Sequence, residues 1–430
     1  NLAVICGRQG RFHELIDLLK KALSLKPNYP EAHNNLGVGL ERQSNLNAAI
    51  ASYKQAIQLK PNFPDAYYNL GNALKEQGDL NAAITSYKKA LSLKTNYPEA
   101  HTNLSMAEIL IGDYKKGWER YEYRFQCKKL QGSLYANPNC SKWEGKPLKA
   151  KDQLLLVSEQ GLGDTLQFMR CALALRNKGI AVSLCALPKL HSLIQASGIA
   201  SSPLTPEQAN KVSEGQWSPL LSVPRYLDIS PDNPIIREPY IKTTEELIAK
   251  WKDILSVEQR PIVGINWQGN PSHERTNNRG RSLPLETFAP IAQYSNASLL
   301  SLQKGIGAEQ LETCSFRDRF VSCQQQVNET WDFLETAAII ANCDLVITSD
   351  TSMAHLAGGM GKTTWLLLMK VPNWRWGLKG DTSFWYPSMR LFRQEERGNW
   401  NEVLQRVAAA LKKEFPSQYH QAQIQTANNY

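Results

Sequence analysis

The sequence lacks the features that mark membrane, disulfide-bonded and metal-binding proteins. No apolar run approaches the roughly 20 residues that a helix needs to cross a bilayer. None of the eight cysteines forms a C-x-x-C pair, which argues against a zinc site and against a disulfide framework. No block of about five or more like charges occurs. The net charge of +9 therefore indicates charge spread over the surface, and no nucleic-acid partner is expected.

The composition is that of an ordinary globular chain. Hydrophobic residues make up 42% and charged residues 21% of the 430 positions, and this length predicts two or three domains. Several cysteines fall in apolar segments, as expected of reduced, buried thiols in a cytoplasmic protein. No signal peptide is visible, although the chain starts at Asn1, without a methionine and within a repeat.

A short motif recurs in the first third of the chain at a spacing of 34 residues. It consists of an aromatic residue, proline, an acidic residue and alanine, and its copies begin at Tyr29, Phe63 and Tyr97. In length and pattern, residues 1–131 resemble the tetratricopeptide repeat, a helix–turn–helix unit that stacks into a solenoid. The more aromatic stretch 117–125 is interpreted as a cap that docks the array onto the next domain.

Three asparagines, Asn35, Asn69 and Asn103, recur at the same spacing on the first helix of each unit. An amide side chain can donate to and accept from a peptide group without reading its sequence. These positions resemble the asparagine ladder that holds an extended peptide in the protein O-GlcNAc transferases. The alternative is that the asparagines bond within the array, and the pattern leaves both open. In either case the array is an interaction surface.

From Gln153 onward the pattern changes to strands that alternate with helices, which predicts parallel, doubly wound sheets. Strands are predicted at 154–157, 180–187, 261–267, 298–302, 345–348 and 363–368. The alternation starts twice, which predicts two Rossmann-like lobes. The predicted divisions after the array are a linker at 132–152, a first lobe at 153–258, a second lobe at 259–415 and a disordered Gln- and Asn-rich tail at 416–430.

The strand predicted at 345–348 turns directly into a helix through Asp350, Thr351 and Ser352. Such a turn presents free backbone N–H groups and the positive end of a helix dipole at the carboxyl edge of a sheet. It predicts a site for the diphosphate of an activated sugar, which His355, about one helical turn further on, would also reach. The alternatives are that Asp350 only caps the helix and that His355 is an ordinary half-buried histidine.

Two further loops follow predicted strands of the second lobe. The polar loop that begins at Gln268, itself a candidate for binding the donor, holds five ionisable residues, His273, Glu274, Arg275, Arg279 and Arg281. Arginines in such a loop suit a diphosphate clamp, and Arg281 is favoured because it adjoins the next helix. Lys304, at the end of the following strand, is a second candidate for neutralising the leaving nucleotide. The alternative is that these side chains are solvent-exposed loop residues that bind no ligand.

The segment 161–164, Gly-Leu-Gly-Asp, lies between the first predicted strand and helix of the first lobe. It is either a tight turn capped by Asp164 or a place where an acceptor approaches the backbone at Gly161 and Gly163. The tryptophans at 365, 374, 376 and 385 are interpreted as packing residues in preference to base-stacking ones. No Asp-x-Asp motif follows a predicted strand, so a metal-independent reaction is expected.

Residues 150–412 resemble the GT-B glycosyltransferases, and most closely the heptosyltransferase-like family (glycosyltransferase family 9). The matching stretches are 161–165, 349–358, 374–376 and 385–393. The resemblance implies an α-helical tetratricopeptide-repeat solenoid followed by an α/β GT-B fold. It also implies that the lobe at 153–258 is the acceptor side and that the lobe at 259–415 is the nucleotide-sugar side. Asp164 would then be the general base that takes the proton of the acceptor hydroxyl.

We therefore expect an inverting glycosyltransferase that uses a UDP-, GDP- or ADP-linked sugar as substrate and needs no cofactor. The ladder favours Ser or Thr of a protein, presented by the repeats, as the acceptor. Two alternatives remain open. One is a heptosyltransferase-like enzyme with a saccharide acceptor, and the other is a repeat scaffold with a degenerate transferase domain.

Overall fold

The computed structural model describes residue 6 and residues 9–128, 132–148, 152–274, 280–294 and 296–416. Its first compact unit contains Asn1–Gln131 and Val371–Leu378, and its second contains Gly132–Lys370 and Lys379–Tyr430. Beyond residue 416, the tail predicted at 416–430 lies outside the described residues. Arg275 and Arg279 also lie outside them.

The first unit is a stack of antiparallel helices. Its helices are α1 (Phe12–Leu25), α2 (Pro30–Arg42), α3 (Leu46–Leu59), α4 (Pro64–Gln77), α5 (Leu80–Leu93), α6 (Pro98–Ile111) and α7 (Tyr114–Tyr121). Helices α2, α4 and α6 each begin with a proline, which needs no N–H partner at that position.

The helices of a pair approach each other closely because a glycine faces a tyrosine ring. A Cβ atom on Gly37 would lie 2.5 Å from Cε1 of Tyr53, and one on Gly71 would lie 2.6 Å from Cε1 of Tyr87. Both tyrosines are fully buried. The 34-residue period therefore repeats a packing contact as well as a sequence motif.

The aromatic cap of the array packs on a distant segment of the chain. Trp374 lies with its ring centroid 5.3 Å from that of Trp118 and 5.9 Å from that of Tyr121. The sequence assigns residues 371–378 to the lobe at 259–415, whereas the structure groups them with the array. The physical reason is this aromatic cluster, in which Trp374 is only 4% exposed. Trp365, Trp376 and Trp385 are buried as well, as the packing interpretation predicts.

The first sheet of the second unit is formed by four parallel strands in the order β1-β4-β2-β3. They are β1 (Ser141–Lys142), β2 (Gln153–Val157), β3 (Ala181–Cys185) and β4 (Gln216–Pro219). Its helices are α8 (Leu162–Phe168), α9 (Arg170–Asn177), α10 (His191–Ala196), α11 (Pro206–Asn210), α12 (Val223–Tyr226) and α13 (Glu245–Ile254). The sequence pattern did not resolve β4 because its four residues lie in a stretch rich in proline and serine.

The second sheet has five parallel strands in the order β6-β5-β7-β8-β9. They are β5 (Ile262–Asn266), β6 (Ser298–Ser301), β7 (Leu345–Ser349), β8 (Thr364–Leu368) and β9 (Met389–Arg393). Its helices are α14 (Pro271–Glu274), α15 (Ala289–Tyr294), α16 (Gln324–Glu329), α17 (Phe333–Asn342), α18 (Ser352–Gly359) and α19 (Trp400–Glu414). Every residue of β5, β7 and β8 is buried, which explains why these strands are mainly apolar and lack an alternating polar pattern.

The strand order of the second sheet creates a crevice between β5 and β7. The chain leaves β5 toward β6 on one side and leaves β7 toward β8 on the other. In open parallel sheets, ligands bind where the connections diverge in this way, beyond the carboxyl ends of the two strands. Those ends are Asn266 and Ser349, and the predicted diphosphate turn follows the second of them directly.

All eight cysteines are free, and five of them are buried. Burial raises the pKa of the Cys171, Cys185 and Cys343 thiols to about 12, so these groups stay protonated at neutral pH. Within the described ranges, no helix combines the length and the apolar character that a membrane span needs.

Candidate functional site

The turn after β7 is closed by Thr351, which caps helix α18. Its Oγ1 accepts a hydrogen bond from the backbone N–H of Met353 at 3.3 Å. The cap is therefore Thr351, whereas the sequence offered Asp350 for this role. The hydroxyl of Ser349 is fully buried at the start of the turn and has no hydrogen-bond partner among the described residues.

A chain of amide and hydroxyl groups ties together the carboxyl ends of β5, β6 and β7. Thr351 Oγ1 donates to Asn266 Oδ1 at 2.8 Å, and Asn266 Nδ2 donates to Gln303 Oε1 at 2.8 Å. The backbone N–H of Gln268 donates to the same Gln303 oxygen at 3.0 Å. The sequence analysis did not single out Asn266. The available signal was a lone polar residue at the end of an otherwise apolar strand.

Arg281 reaches the predicted diphosphate turn. Its Nη1 donates to the backbone oxygen of Asp350 at 3.1 Å, and its Nε lies 3.3 Å from Glu274 Oε1. A Cβ on Gly269 would lie 2.5 Å from Arg281 Nη2, so the glycine leaves the space that the guanidinium occupies. Glu274, which the sequence analysis placed in the loop without a role, orients the arginine.

Lys304 and Gln268 make other contacts. The amine of Lys304 donates to the carbonyl of Val327 at the end of α16, away from the turn that it was expected to serve. Burial lowers the pKa of Lys304 to about 8. The Gln268 side chain accepts from Gln310 Nε2 at 3.2 Å. Of the predicted cationic residues that the structure describes, Arg281 is thus the one held at the turn.

Asp164 caps the helix that follows β2. Its Oδ2 accepts from the backbone N–H of Gly161 at 2.9 Å, which is the turn-capping alternative of the sequence analysis. Gln160, just before, has φ of +62°, a conformation that costs energy for a non-glycine residue and that clusters at functional sites. Burial, and secondarily the charge of Asp164, raises the pKa of the neighbouring Tyr135 phenol to about 12. Tyr135, whose hydroxyl donates to the Gln160 carbonyl at 3.0 Å, was missed by the sequence analysis.

The loop after β2 and the turn after β7 touch each other at a glycine. A Cβ on Gly163 would lie 3.0 Å from Cδ2 of His355 and 3.4 Å from Cα of Ser352. His355 is 5% exposed, and its Nδ1 lies 2.9 Å from the hydroxyl of Tyr386. The segment after β2, which contains Asp164, thus adjoins the turn after β7, which contains Thr351 and Ser352.

The asparagines of the array are engaged with their neighbours. Asn69 Nδ2 donates to Asn34 Oδ1 at 3.0 Å, and Asn103 Nδ2 donates to Asn72 Oδ1 at 2.8 Å. Asn35 Oδ1 accepts a long bond of 3.5 Å from Asn34 Nδ2. The structure therefore shows the second alternative of the sequence analysis, in which these amides bond within the array.

Among the residues that the structure describes, no group of three or more His, Cys, Asp and Glu side chains is arranged to hold a metal ion. The carboxyl ends of β5, β6 and β7 bear several hydroxyls, an amide chain, an imidazole and a guanidinium, and the segment that contains Asp164 adjoins them at Gly163. Such a set can bind an oxyanion and exchange a proton with a hydroxyl.

Part of the repeat array matches a known family. Residues 42–78 and 71–105 match the family model described as TPR repeat. Protein FlbA of Caulobacter vibrioides (strain ATCC 19089 / CIP 103742 / CB 15) is 26% identical over 325 residues, which cover 71% of this chain and 53% of that protein. The chain thus spans about half the length of this curated relative.

Two solved structures match part of the chain. MamA covers 30% of this chain and 77% of its own, with 29% identity and a TM-score of 0.28. A thermophilic TPR protein of Thermus thermophilus covers 30% of this chain and 72% of its own, with 22% identity and a TM-score of 0.28. By the family-model match, residues 42–105 are tetratricopeptide repeats.

Proposed function

We propose that the second unit is a glycosyltransferase of the GT-B type, with one Rossmann-like lobe built on each parallel sheet. The observation that carries the proposal is the contact of Gly163 with His355 and Ser352. It sets the loop that bears Asp164 against the turn at the topological switch point of the second sheet. Two loops at the carboxyl ends of facing parallel sheets are where such an enzyme would hold acceptor and donor.

The donor would lie with its diphosphate at the amino end of α18. Backbone N–H groups, the dipole of the helix and the hydroxyls of Thr351 and Ser352 are suited to phosphate oxygens. Arg281, which is held at the Asp350 carbonyl and is only 15% exposed, would add charge-assisted hydrogen bonds. These groups would stabilise the departing diphosphate without a metal ion, as preorganised dipoles do for other leaving anions.

In the proposed reaction, the acceptor hydroxyl attacks the anomeric carbon from the face opposite the diphosphate. The new carbon–oxygen bond forms as the bond to the diphosphate breaks, so the configuration inverts. The hydroxyl proton passes to Asp164, whose carboxylate is oriented by its bond to the Gly161 N–H. The hydroxyl becomes acidic as the new bond forms, so the proton transfer accompanies bond formation.

We propose a Ser or Thr side chain of a protein as the acceptor, because tetratricopeptide repeats commonly bind peptides and proteins. The hydrogen bonds of Asn69 and Asn103 within the array weaken the asparagine ladder as support for this choice. A saccharide hydroxyl is the alternative acceptor, and a glycan array with the full chain would distinguish the two.

Titration of the full chain with UDP, GDP and ADP tests the proposal. At least one nucleotide is expected to bind, and Arg281→Met is expected to lower the affinity for that nucleotide. Arg317→Met, which removes an arginine from an exposed ion pair, is the matched control and should leave the affinity unchanged. Sugar transfer is expected to be lost in Asp164→Asn and kept in Asp318→Asn, which alters an exposed aspartate. Failure to bind any nucleotide would favour the repeat scaffold, and full activity of Asp164→Asn would remove Asp164 as the base.

A further inference from the structure

Arg170, in α9, is a buried cation whose partners are neutral. The side chain is fully buried, and its guanidinium donates to the carbonyls of Gln167 at 2.9 Å and Trp385 at 2.8 Å. It also donates to the hydroxyl of Tyr240 at 3.0 Å. Among the described residues, no carboxylate forms an ion pair with it. Since a buried charge is costly without a countercharge, this arrangement calls for an explanation.

A direct path leads from Arg170 to the crevice. The guanidinium carbon lies 4.6 Å from the centroid of the Tyr386 ring, a distance typical of a cation–π contact. The hydroxyl of Tyr386 lies 2.9 Å from Nδ1 of His355, and the other edge of that imidazole faces Gly163. The cation is therefore connected through one ring to a predicted site residue.

We propose that Arg170 is a positioning residue for the anion site, acting through Tyr386 on His355, and that the bound diphosphate supplies its missing countercharge. The inference rests on the proposed function. A cation over a phenol ring makes the hydroxyl a stronger donor. Tyr386 then donates to Nδ1 of His355, which fixes the tautomer with its proton on Nε2, at the edge of the ring that faces Gly163. In a poorly solvated interior, the charge of Arg170 also attracts the diphosphate directly.

The competing explanation is purely structural, because Arg170 also holds the Trp385 carbonyl and Tyr240. Four substitutions separate the two roles. Arg170→Met removes the charge, and Arg170→Lys keeps it while losing the planar fork. Tyr240→Phe removes a hydrogen bond of Arg170 and leaves the charge in place. Tyr386→Phe keeps the ring beneath the guanidinium and removes only the hydroxyl that faces His355.

Calorimetric titration of the full chain with inorganic pyrophosphate at low salt is the test, with thermal unfolding of each variant measured in parallel. Arg170→Met is expected to weaken binding by about tenfold or more, the effect of losing one charge-assisted interaction. Tyr386→Phe is expected to weaken it by about threefold or more, while Tyr240→Phe stays within about twofold of the unsubstituted protein. Arg170→Lys should recover most of the affinity that Arg170→Met loses.

Folded Arg170→Met that binds pyrophosphate as the unsubstituted protein does would overturn the inference. An equal loss in Tyr240→Phe and Arg170→Met would also overturn it, because the hydrogen bond and not the charge would then matter. If Arg170→Met does not fold, the comparison of Tyr386→Phe with Tyr240→Phe decides, and equal affinities in that pair reject the inference. A failure of the unsubstituted protein to bind pyrophosphate or any nucleotide would instead reject the proposed function itself.

Discussion

The hydroxyl of Thr351 and the side-chain oxygen of Asn266 are joined by a hydrogen bond of 2.8 Å at the carboxyl ends of two neighbouring strands. Thr351 also caps α18, so the bond positions the start of that helix relative to β5. Asn266 in turn holds Gln303 beyond β6. The turn that we assign to the diphosphate is therefore oriented by side chains from three strands of the second sheet.

Replacing Asn266 by Ala is expected to lower both stability and nucleotide affinity. Asn266 is 4% exposed, and its loss removes the hydrogen bonds that join it to Thr351 Oγ1 and Gln303 Oε1. Each such hydrogen bond contributes about 0.5–1.5 kcal/mol net. Urea denaturation and nucleotide titration measure the two effects. Asn342→Ala, which removes another buried amide at the end of α17, should lower stability and leave affinity unchanged.

Gly163→Ala is expected to reduce the free energy of nucleotide binding by more than it reduces the free energy of unfolding. The added Cβ would press on the His355 ring at 3.0 Å and on Ser352 at 3.4 Å, so the turn after β7 has to shift. Gly179→Ala is a useful comparison, since its Cβ would meet no atom within 4 Å but its φ of +81° disfavours alanine. That variant should lose stability without losing affinity, and equal affinity loss in both would contradict the prediction.

Trp374→Ala is expected to destabilise the repeat array. The indole is 4% exposed against Trp118 and Tyr121, and truncation of a buried tryptophan typically costs about 3–5 kcal/mol. Amide hydrogen exchange of α6 and α7 should become faster, and the thermal unfolding of the array should move to lower temperature. Trp331→Ala, at a side chain that is 65% exposed, should change stability by no more than about 0.5 kcal/mol. Unchanged exchange in Trp374→Ala would argue against this packing.

The contribution of Lys304 to stability should rise with pH above about 8. Burial lowers its pKa to about 8, whereas the unfolded side chain titrates near about 10.4. Between these values the unfolded chain holds a proton that the folded chain has lost, so raising the pH favours folding at this group, while the raised pKa values of the buried Cys171, Cys185 and Cys343 thiols act in the opposite direction. The free energy of unfolding of the unsubstituted protein minus that of Lys304→Met, from denaturant titrations, should therefore increase with pH between about 8 and about 10. Parallel curves would show that the amine is not desolvated.

The local elements of this protein follow directly from its residues. The 34-residue period, with a proline at the start of each first helix, predicts the array, and the mainly apolar runs predict β5, β7 and β8. These signals are local, because helix starts and strand burial depend on residues within a few positions of each other. The turn between β7 and α18 is predicted for the same reason, since a strand followed by a capping residue and a helix is contiguous in the chain.

What the residues determined by themselves was therefore which segments are helices, strands and loops, and which loops follow strands. Only the tertiary structure decided which of those loops meet and which side chains reach them. In the folded chain, Arg281 bonds to the Asp350 carbonyl, whereas Lys304 bonds to α16. Asn69 and Asn103 form hydrogen bonds within the array, and Trp374 packs on Trp118. The physical reason is that strand order and packing join residues far apart in the chain, whose pairing leaves no period or spacing in the sequence.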